Sequence, residues 1–314
     1  MQQEKIIIIG AGMAGLTCAR RLTDAGMDVR ILDKGRGIGG RLATRRTDTG
    51  LTFDHGAQYV TARDPGFQRA VDGMLQDGFA GQWDIGHGAP RVVGTPGMNA
   101  LAKYFARDLA ITQNAEVSAL RETDNGWEVQ VGTNVMTCDR LIVTVPAPQA
   151  AQLLGPDHKL HDQIAAARLN PCLTLMAAFN DDQAKPFIAR RDPDDALSWI
   201  ANNASKPGRS GGNGWIAQAS PQWSTEHLEL DRSEIADLML PMLCARIGAD
   251  ITSKSFVAAH RWRYAAVSEP LGQAFARNDS GSLYLGGDWC IEARVEAAWK
   301  SGMAIADDVL NQSH

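Results

Sequence analysis

Four short runs in this chain combine residue types that can act on one ligand. Gly10-Ala11-Gly12-Met13-Ala14-Gly15 fits the pattern GxGxxG, and Asp33-Lys34 follows it after a further apolar run. Gly39-Gly40-Arg41 comes next, and Gly286-Gly287-Asp288 lies far downstream. The three glycines of the first run have separate jobs. Gly10 permits a tight turn, Gly12 lets backbone approach a pyrophosphate, and Gly15 lets helix and strand pack closely. Met13 and Ala14 stand at the helix N-terminus, where free N–H groups and a partial positive charge suit phosphates. Asp33 can accept hydrogen bonds from ribose hydroxyls. A ligand-free glycine turn is the competing account, but the flanking strand and helix and the following acid argue against it.

Both NAD and FAD use such a fingerprint, so the later runs discriminate. Arg41 can neutralise a pyrophosphate, Gly40 and Gly287 allow close approach, and Asp288 can bind ribityl hydroxyls. Each run alone is also an ordinary turn. Together, and in this order, they favour FAD, because distant parts of the chain converge on one elongated cofactor. No second GxGxxG occurs in a strand–turn–helix setting; Gly211-Gly212-Asn213-Gly214 lies in a polar loop. A separate module for NAD(P)H is therefore not expected, and substrate must reach the flavin through the irregular second region.

Hydride transfer to a flavin needs positioning rather than a protein nucleophile. Aromatic walls suit a flat ring, and Trp199, Trp215, Trp262 and Trp289 are candidates, Trp289 first because it follows Asp288. Core packing is the competing account of each. On a strand, His260 and Trp262 share one face while Arg261 and Arg263 share the other. His260 can hydrogen-bond a carboxamide or serve as a structural histidine. Arg263 can hold a phosphate or merely meet solvent. His55 is a weaker candidate.

The elements that must position these residues can be read from periodicity. Lys5 to Ile9 reads as a buried parallel strand, Met13 to Ala25 as a helix closed by Gly26, and Asp28 to Asp33 as a second strand. That makes a βαβ unit. Strands near Ala115 to Glu122 and Trp127 to Gly132 bracket the turn Asp124-Asn125-Gly126, and Leu141 to Val145 is another strand. A helix is expected near Met98 to Ala106. Beyond residue 150 the style changes to strands (Leu173 to Asn180, Gly214 to Ala219, Ser255 to His260), a Gly/Ser loop from Lys206 to Gly214, and a helix from Ser233 to Ile247. A short strand, Leu283 to Leu285, then leads through glycine to a final helix. Its apolar face carries Val295, Ala298, Gly302, Ile305 and Val309. The fold class is α/β: a Rossmann-type FAD-binding domain (residues 1–58, 98–150 and 280–314) with a second, mixed-sheet α+β substrate domain (59–97 and 151–279).

Composition excludes several function classes. In 314 residues, 44% are hydrophobic and 21% charged, with a net charge of −5, as in ordinary enzymes. No basic stripe points to nucleic acid. The five cysteines are scattered and form no metal or disulfide pattern. No run approaches the roughly 18 apolar residues of a membrane span, and no signal peptide is visible, so a cytoplasmic location is expected. Nothing in the pattern selects an oligomeric state.

The fingerprint, Gly39-Gly40-Arg41-Leu42-Ala43-Thr44-Arg45, Asp54-His55-Gly56-Ala57-Gln58-Tyr59, Pro96-Gly97-Met98-Asn99-Ala100-Leu101, His260-Arg261-Trp262-Arg263 and Gly286-Gly287-Asp288 together resemble the amine oxidase and protoporphyrinogen oxidase class of FAD flavoproteins. Within it, the chain is similar to the bacterial branch of the renalase family. The resemblance implies non-covalent FAD, with Gly56, Ala57, Gln58 and Val117 joining the cofactor contacts and Tyr59 the substrate candidates. It also implies oxidation of the 2- and 6-dihydro isomers of NAD(P)H to NAD(P)+, with O2 reduced to hydrogen peroxide. Asp33 stands where the class more often has Glu, and either carboxylate can hold a ribose. A flavin amine oxidase acting on a small amine is the alternative. It calls for an aromatic cage and often a lysine-held water, and none of the eight lysines lies in a recognisable motif. A desaturase or porphyrinogen oxidase would need an apolar channel, which the pattern lacks. FAD in a purely structural role is the remaining alternative.

Overall fold

The computed structural model describes residues 4–86, 88, 90–209 and 212–312. Gly211, part of the polar glycine run, lies outside them. The first sheet has six strands in the order Ala276–Arg277, Leu283–Leu285, Arg140–Val143, Lys5–Ile9, Asp28–Leu32 and Ala110–Thr112. Its pairings are parallel except the first. Lys5–Ile9 is central because Ile6, Ile7, Ile8 and Ile9 are buried on both sides, as a parallel sheet covered on two faces requires. The helix Met13–Asp24 leaves this strand through the glycine turn and ends at Ala25, followed by Gly26 at φ +86°.

The helix Val295–Gln312 lies across Met13–Asp24. A Cβ on Gly302 would collide with the Ala14 carbonyl, so glycine sets that close approach. The strands expected around Asp124-Asn125-Gly126 belong to a three-stranded meander, Val117–Thr123, Gly126–Val131 and Asn134–Cys138. Helices at Pro65–Gln76 and Ala147–Leu154 went unforeseen, because Gly66 and Gly73 interrupt the first pattern and Pro146 and Pro148 read as the end of the preceding strand rather than a helix start.

The second large sheet has five strands in the order Ala189–Arg191, Trp199–Asn202, Asn213–Gln218, Arg168–Phe179 and Lys254–Glu269. It is antiparallel throughout. Lys254–Glu269 runs well past His260, where the sequence reading stopped it. One face buries Leu173, Leu175, Ala177, Ile200, Trp215, Ala217 and Ala259 with residues of the helix Arg232–Ile247. That helix starts with a capping box between Asp231 and Glu234 and stops at Gly248 in the left-handed region. The other face turns toward Phe53 and the segment that follows it. Among the described residues, no helix is long and apolar enough to cross a membrane.

Candidate active site

The glycine runs meet one another through backbone. Gly39 N–H donates to Ala11 O at 2.8 Å, and Ala57 N–H donates to Arg41 O at 2.8 Å. The Arg41 guanidinium then grips both carboxylate oxygens of Asp288, at 2.8 and 2.6 Å, and donates to Ala265 O on the second sheet at 2.9 Å. Fingerprint, Arg41, Gly56–Ala57 and Gly287–Asp288 thus form one continuous surface, drawn from segments 247 residues apart.

The glycines separate by role. A side chain on Gly15 would collide with the Gly10 carbonyl, and one on Gly56 with the Arg41 carbonyl. Gly12 is different: its φ is −79° and a Cβ there would meet nothing within 4 Å. That Cβ would project into the approach to the helix N-terminus, which has no side-chain cap and no acid in its first turn. An uncompensated helix end beside a glycine lip fits a pyrophosphate. Asp33 accepts Ala11 N–H at 2.6 Å on one oxygen and Gly35 N–H at 2.7 Å on the other, which leaves a lone pair on each for ribose hydroxyls. Lys34 beside it is exposed. Val117 is buried among apolar residues that include Leu32 and Ala115. These features fit FAD, with Gly10, Gly12, Met13, Ala14, Gly15, Asp33, Gly40, Arg41, Gly56, Ala57, Gly287 and Asp288 as the residues that would hold it.

Gln58 has a more local task than expected. Its amide nitrogen donates to Asp54 O at 2.7 Å and Gly56 O at 3.0 Å, folding the segment onto itself. Its amide oxygen accepts from Lys206 at 3.1 Å. This exposes a cluster that sequence reasoning missed. Asp54 is fully buried, with Thr44 Oγ1 (2.8 Å) and Met98 N–H (2.9 Å) on one oxygen. The other oxygen meets Lys206 Nζ at 3.2 Å and Arg209 at 3.0 and 2.5 Å. Burial alone would raise the Asp54 carboxyl, but Lys206 and Arg209 outweigh it and hold it below its ordinary range. Burial pulls Lys206 down to about 8, with Asp54 opposing and Arg209 assisting. The region reads as a loop in sequence. Its only advance signal is the pair of cations flanking Pro207-Gly208, and a partner for them cannot be named without the fold.

A row of side chains crosses the second sheet. Trp199 stands opposite Gln218, Gln218 opposite Thr174, and Thr174 opposite His260. Opposed residues share a face, so these four look the same way. That face meets the Asp54–Tyr59 segment. Gln218 Nε2 donates to Gly56 O at 2.8 Å, and Trp262 Nε1 donates to His55 O at 2.6 Å. The His55 ring lies 4.7 Å from His260 and 5.5 Å from Trp262, while Tyr59 lies 5.6 Å from Trp199. Neither ring nitrogen of His260 has a hydrogen-bond partner among the described residues. Burial, then His55, Arg232 and Arg45, bring His260 down to about 4. Burial also lowers His55. Both imidazoles are therefore neutral at neutral pH.

Three sequence candidates lie elsewhere. Arg263 projects from the opposite face, exposed, and both its terminal nitrogens bind Glu229, at 2.7 and 3.0 Å. Trp289 is 1% exposed, packed in the core with Val143, Leu285 and Cys290 and with its N–H on Val145 O at 3.0 Å, so its ring has no free face. Trp215 is fully buried on the helix-covered side, bonded to Asn213 Oδ1 at 2.7 Å. His55, the weaker candidate, is central.

Comparison with known proteins agrees with this architecture. Residues 8–76 match an NAD(P)-binding Rossmann-like domain, and residues 74–310 match the flavin containing amine oxidoreductase family. Curated relatives match over short stretches. The chain is 44% identical over 61 residues to a 4,4'-diaponeurosporene oxygenase of Staphylococcus haemolyticus, covering 19% of this chain and 12% of that protein. It is 45% identical over 62 residues to an L-glutamate oxidase precursor of Streptomyces diastatochromogenes, covering 19% and 9%. Among solved structures, a candidate protoporphyrinogen oxidase from Exiguobacterium sp. 255-15 superposes with a TM-score of 0.80 at 14% identity, covering 99% of this chain and 100% of that one. Cyclohexylamine oxidase from Brevibacterium oxydans gives 0.74 at 12% identity, covering 99% of each chain. At these identities the likeness is one of fold, whereas the family match spans most of the sequence. The chain belongs to the flavin containing amine oxidoreductase family.

Proposed function

We propose that this chain is a cytoplasmic FAD-dependent oxidase that converts the 2- and 6-dihydro isomers of NAD(P)H to NAD(P)+, with O2 and a proton taken up and hydrogen peroxide released. The observation that carries the reading is the uncharged pair at the two ends of the row, Trp199 and His260, flanked by His55, Trp262 and Tyr59. A dihydronicotinamide is a flat neutral ring bearing a carboxamide, and it asks for aromatic surface and neutral hydrogen-bonding groups. His260, neutral and without a hydrogen-bond partner among the described residues, can donate or accept with that carboxamide. FAD, bound without a covalent link, supplies the hydride acceptor and the passage of electrons to O2. The protein's share is orientation: a misplacement of about 1 Å can cost roughly a hundredfold in rate, so a fixed wall separates hydride loss at C2 or C6 from loss at C4.

A second reading, oxidation of a small amine, draws on the aromatic group Tyr59, Trp199 and Trp83, with ring centres 5.6 and 6.5 Å apart. Lys206 is buried nearby, 5.1 Å from the Trp83 ring, but its ammonium is engaged by Asp54 and Gln58. Anaerobic mixing, with bleaching of the oxidised flavin as readout, separates the two. Faster reduction by the 2- or 6-dihydro isomers than by ordinary NAD(P)H or amines is the expected result. Equal or faster reduction by a small amine overturns it.

A further inference from the structure

Two arginines that the row does not use converge on one stretch of backbone. Val60 and Val92 form an isolated antiparallel bridge, their N–H groups donating reciprocally at 2.8 and 3.2 Å. That register sets Arg91 beside Thr61. The Arg91 guanidinium lies 5.2 Å from the centre of the Tyr59 ring, and Tyr59 packs on Trp199. Arg294, just before the helix Val295–Gln312, reaches the same stretch, donating to Thr61 O and Thr61 Oγ1 at 3.0 Å each.

Their charge balance differs. Arg294 is paired with Glu296 at 2.8 Å and Glu292 at 3.8 Å. Arg91 has no carboxylate partner among the described residues. Among the described residues its Nε is buried without an acceptor, as are the indole N–H of Trp199 and Nη1 of Arg294. Buried donors without partners are rare in folded proteins. Guanidinium and indole N–H groups can only donate, so a ligand that completes this group must supply acceptors, and beside an unpaired cation that means an anion.

We propose that Arg91, with Tyr59 and the indole N–H of Trp199, forms the subsite for a phosphate of the dinucleotide substrate. The inference rests on the dinucleotide reading above. Trp199 and His260 are the two ends of the cross-sheet row. With strands about 4.8 Å apart, three steps separate them by roughly 14 Å. A dinucleotide with its nicotinamide toward His260 has the reach to set a phosphate at Arg91. Arg263, which sequence pointed to for this task, is spent on Glu229, and its neighbour Arg261 on the carbonyls of Leu228 and Leu230.

The test compares the wild-type FAD-loaded protein with Arg91→Gln and Arg91→Lys. Each is titrated anaerobically with the 6-dihydro isomer as the dinucleotide and as its phosphate-free riboside. Arg91→Gln is expected to cut the preference for dinucleotide over riboside roughly ten- to a hundredfold, the usual worth of a charge-assisted hydrogen bond, and Arg91→Lys to restore part of it. An unchanged preference overturns the subsite. If no dihydronicotinamide bleaches the flavin, the substrate reading fails on its own, and inorganic pyrophosphate becomes the probe. A rise in the wild-type thermal midpoint that Arg91→Gln abolishes upholds the anion site, and equal behaviour of the two proteins overturns it. Bleaching by an L-amino acid that Arg91→Gln abolishes also overturns the phosphate assignment, making the site one for a carboxylate.

Discussion

Removing the charge of Asp54 should be far more damaging than removing that of Lys206, and the two changes should partly cancel. Asp54, Lys206 and the Arg209 side chain are fully buried, with two cations on one carboxylate. Asp54→Asn keeps an oxygen for Thr44 and Met98 but turns an amide N–H₂ toward Lys206 and Arg209. It leaves buried cations uncompensated, at a cost of about 3–5 kcal/mol. Lys206→Met forfeits one hydrogen bond to Asp54 and one to Gln58. It also removes the desolvation of an ammonium and its repulsion from Arg209, so the net cost is about 0–2 kcal/mol. In the double variant the methionine removes a cation that has lost its counterion. Lys206→Met should therefore stabilise the Asp54→Asn background although it does not stabilise the wild type, a reversal that a double-mutant cycle reads directly. Urea unfolding at neutral pH and fixed FAD is the assay, since bound cofactor shifts apparent stability. If Lys206→Met further destabilises Asp54→Asn, or both single variants lie within about 1 kcal/mol of each other, the cluster does not work as described. A pH arm follows. Lys206 titrates near 8 when folded and near 10.4 when unfolded, so the unfolded chain holds the extra proton between these values. Wild type should gain stability relative to Lys206→Met as pH rises through that window.

Gly12→Val should give a folded protein that no longer binds FAD, because valine accommodates the extended backbone there and its Cβ has no protein atom within 4 Å. Gly15→Ala should lower the unfolding midpoint even without cofactor, because its Cβ meets the Gly10 carbonyl; flavin fluorescence titration and circular dichroism distinguish the two outcomes. Treatment with trichloroacetic acid should release all flavin as intact FAD into the supernatant, and flavin left in the pellet would refute non-covalent binding. For His260, the folded value near 4 lies below the unfolded value near 6.5. The stability it contributes is present above about pH 6.5 and declines as pH falls toward 4. His260→Ala should flatten that decline and slow turnover without releasing FAD, and a flavin-reduction rate that follows a histidine ionisation between pH 6 and 7 would contradict a neutral imidazole.

The Rossmann half of the fold was legible in sequence because its determinants are local. Glycine conformations, a helix N-terminus and an acid at the end of the next strand lie within one βαβ unit, and the apolar run at Ile6 to Ile9 reads as a buried parallel strand without knowledge of its neighbours. Alternation also assigned His260 and Trp262 to one strand face and Arg263 to the other. Which face mattered was a question of register, and register is set by non-local pairing. Only the fold aligned Trp199, Gln218, Thr174 and His260 across four strands. It also seated His55 against them and spent Trp289 on the core. The Asp54–Lys206–Arg209 cluster was hidden for the same reason. A lysine 152 residues from its acid looks like any loop lysine until burial removes its water, and burial belongs to the tertiary structure.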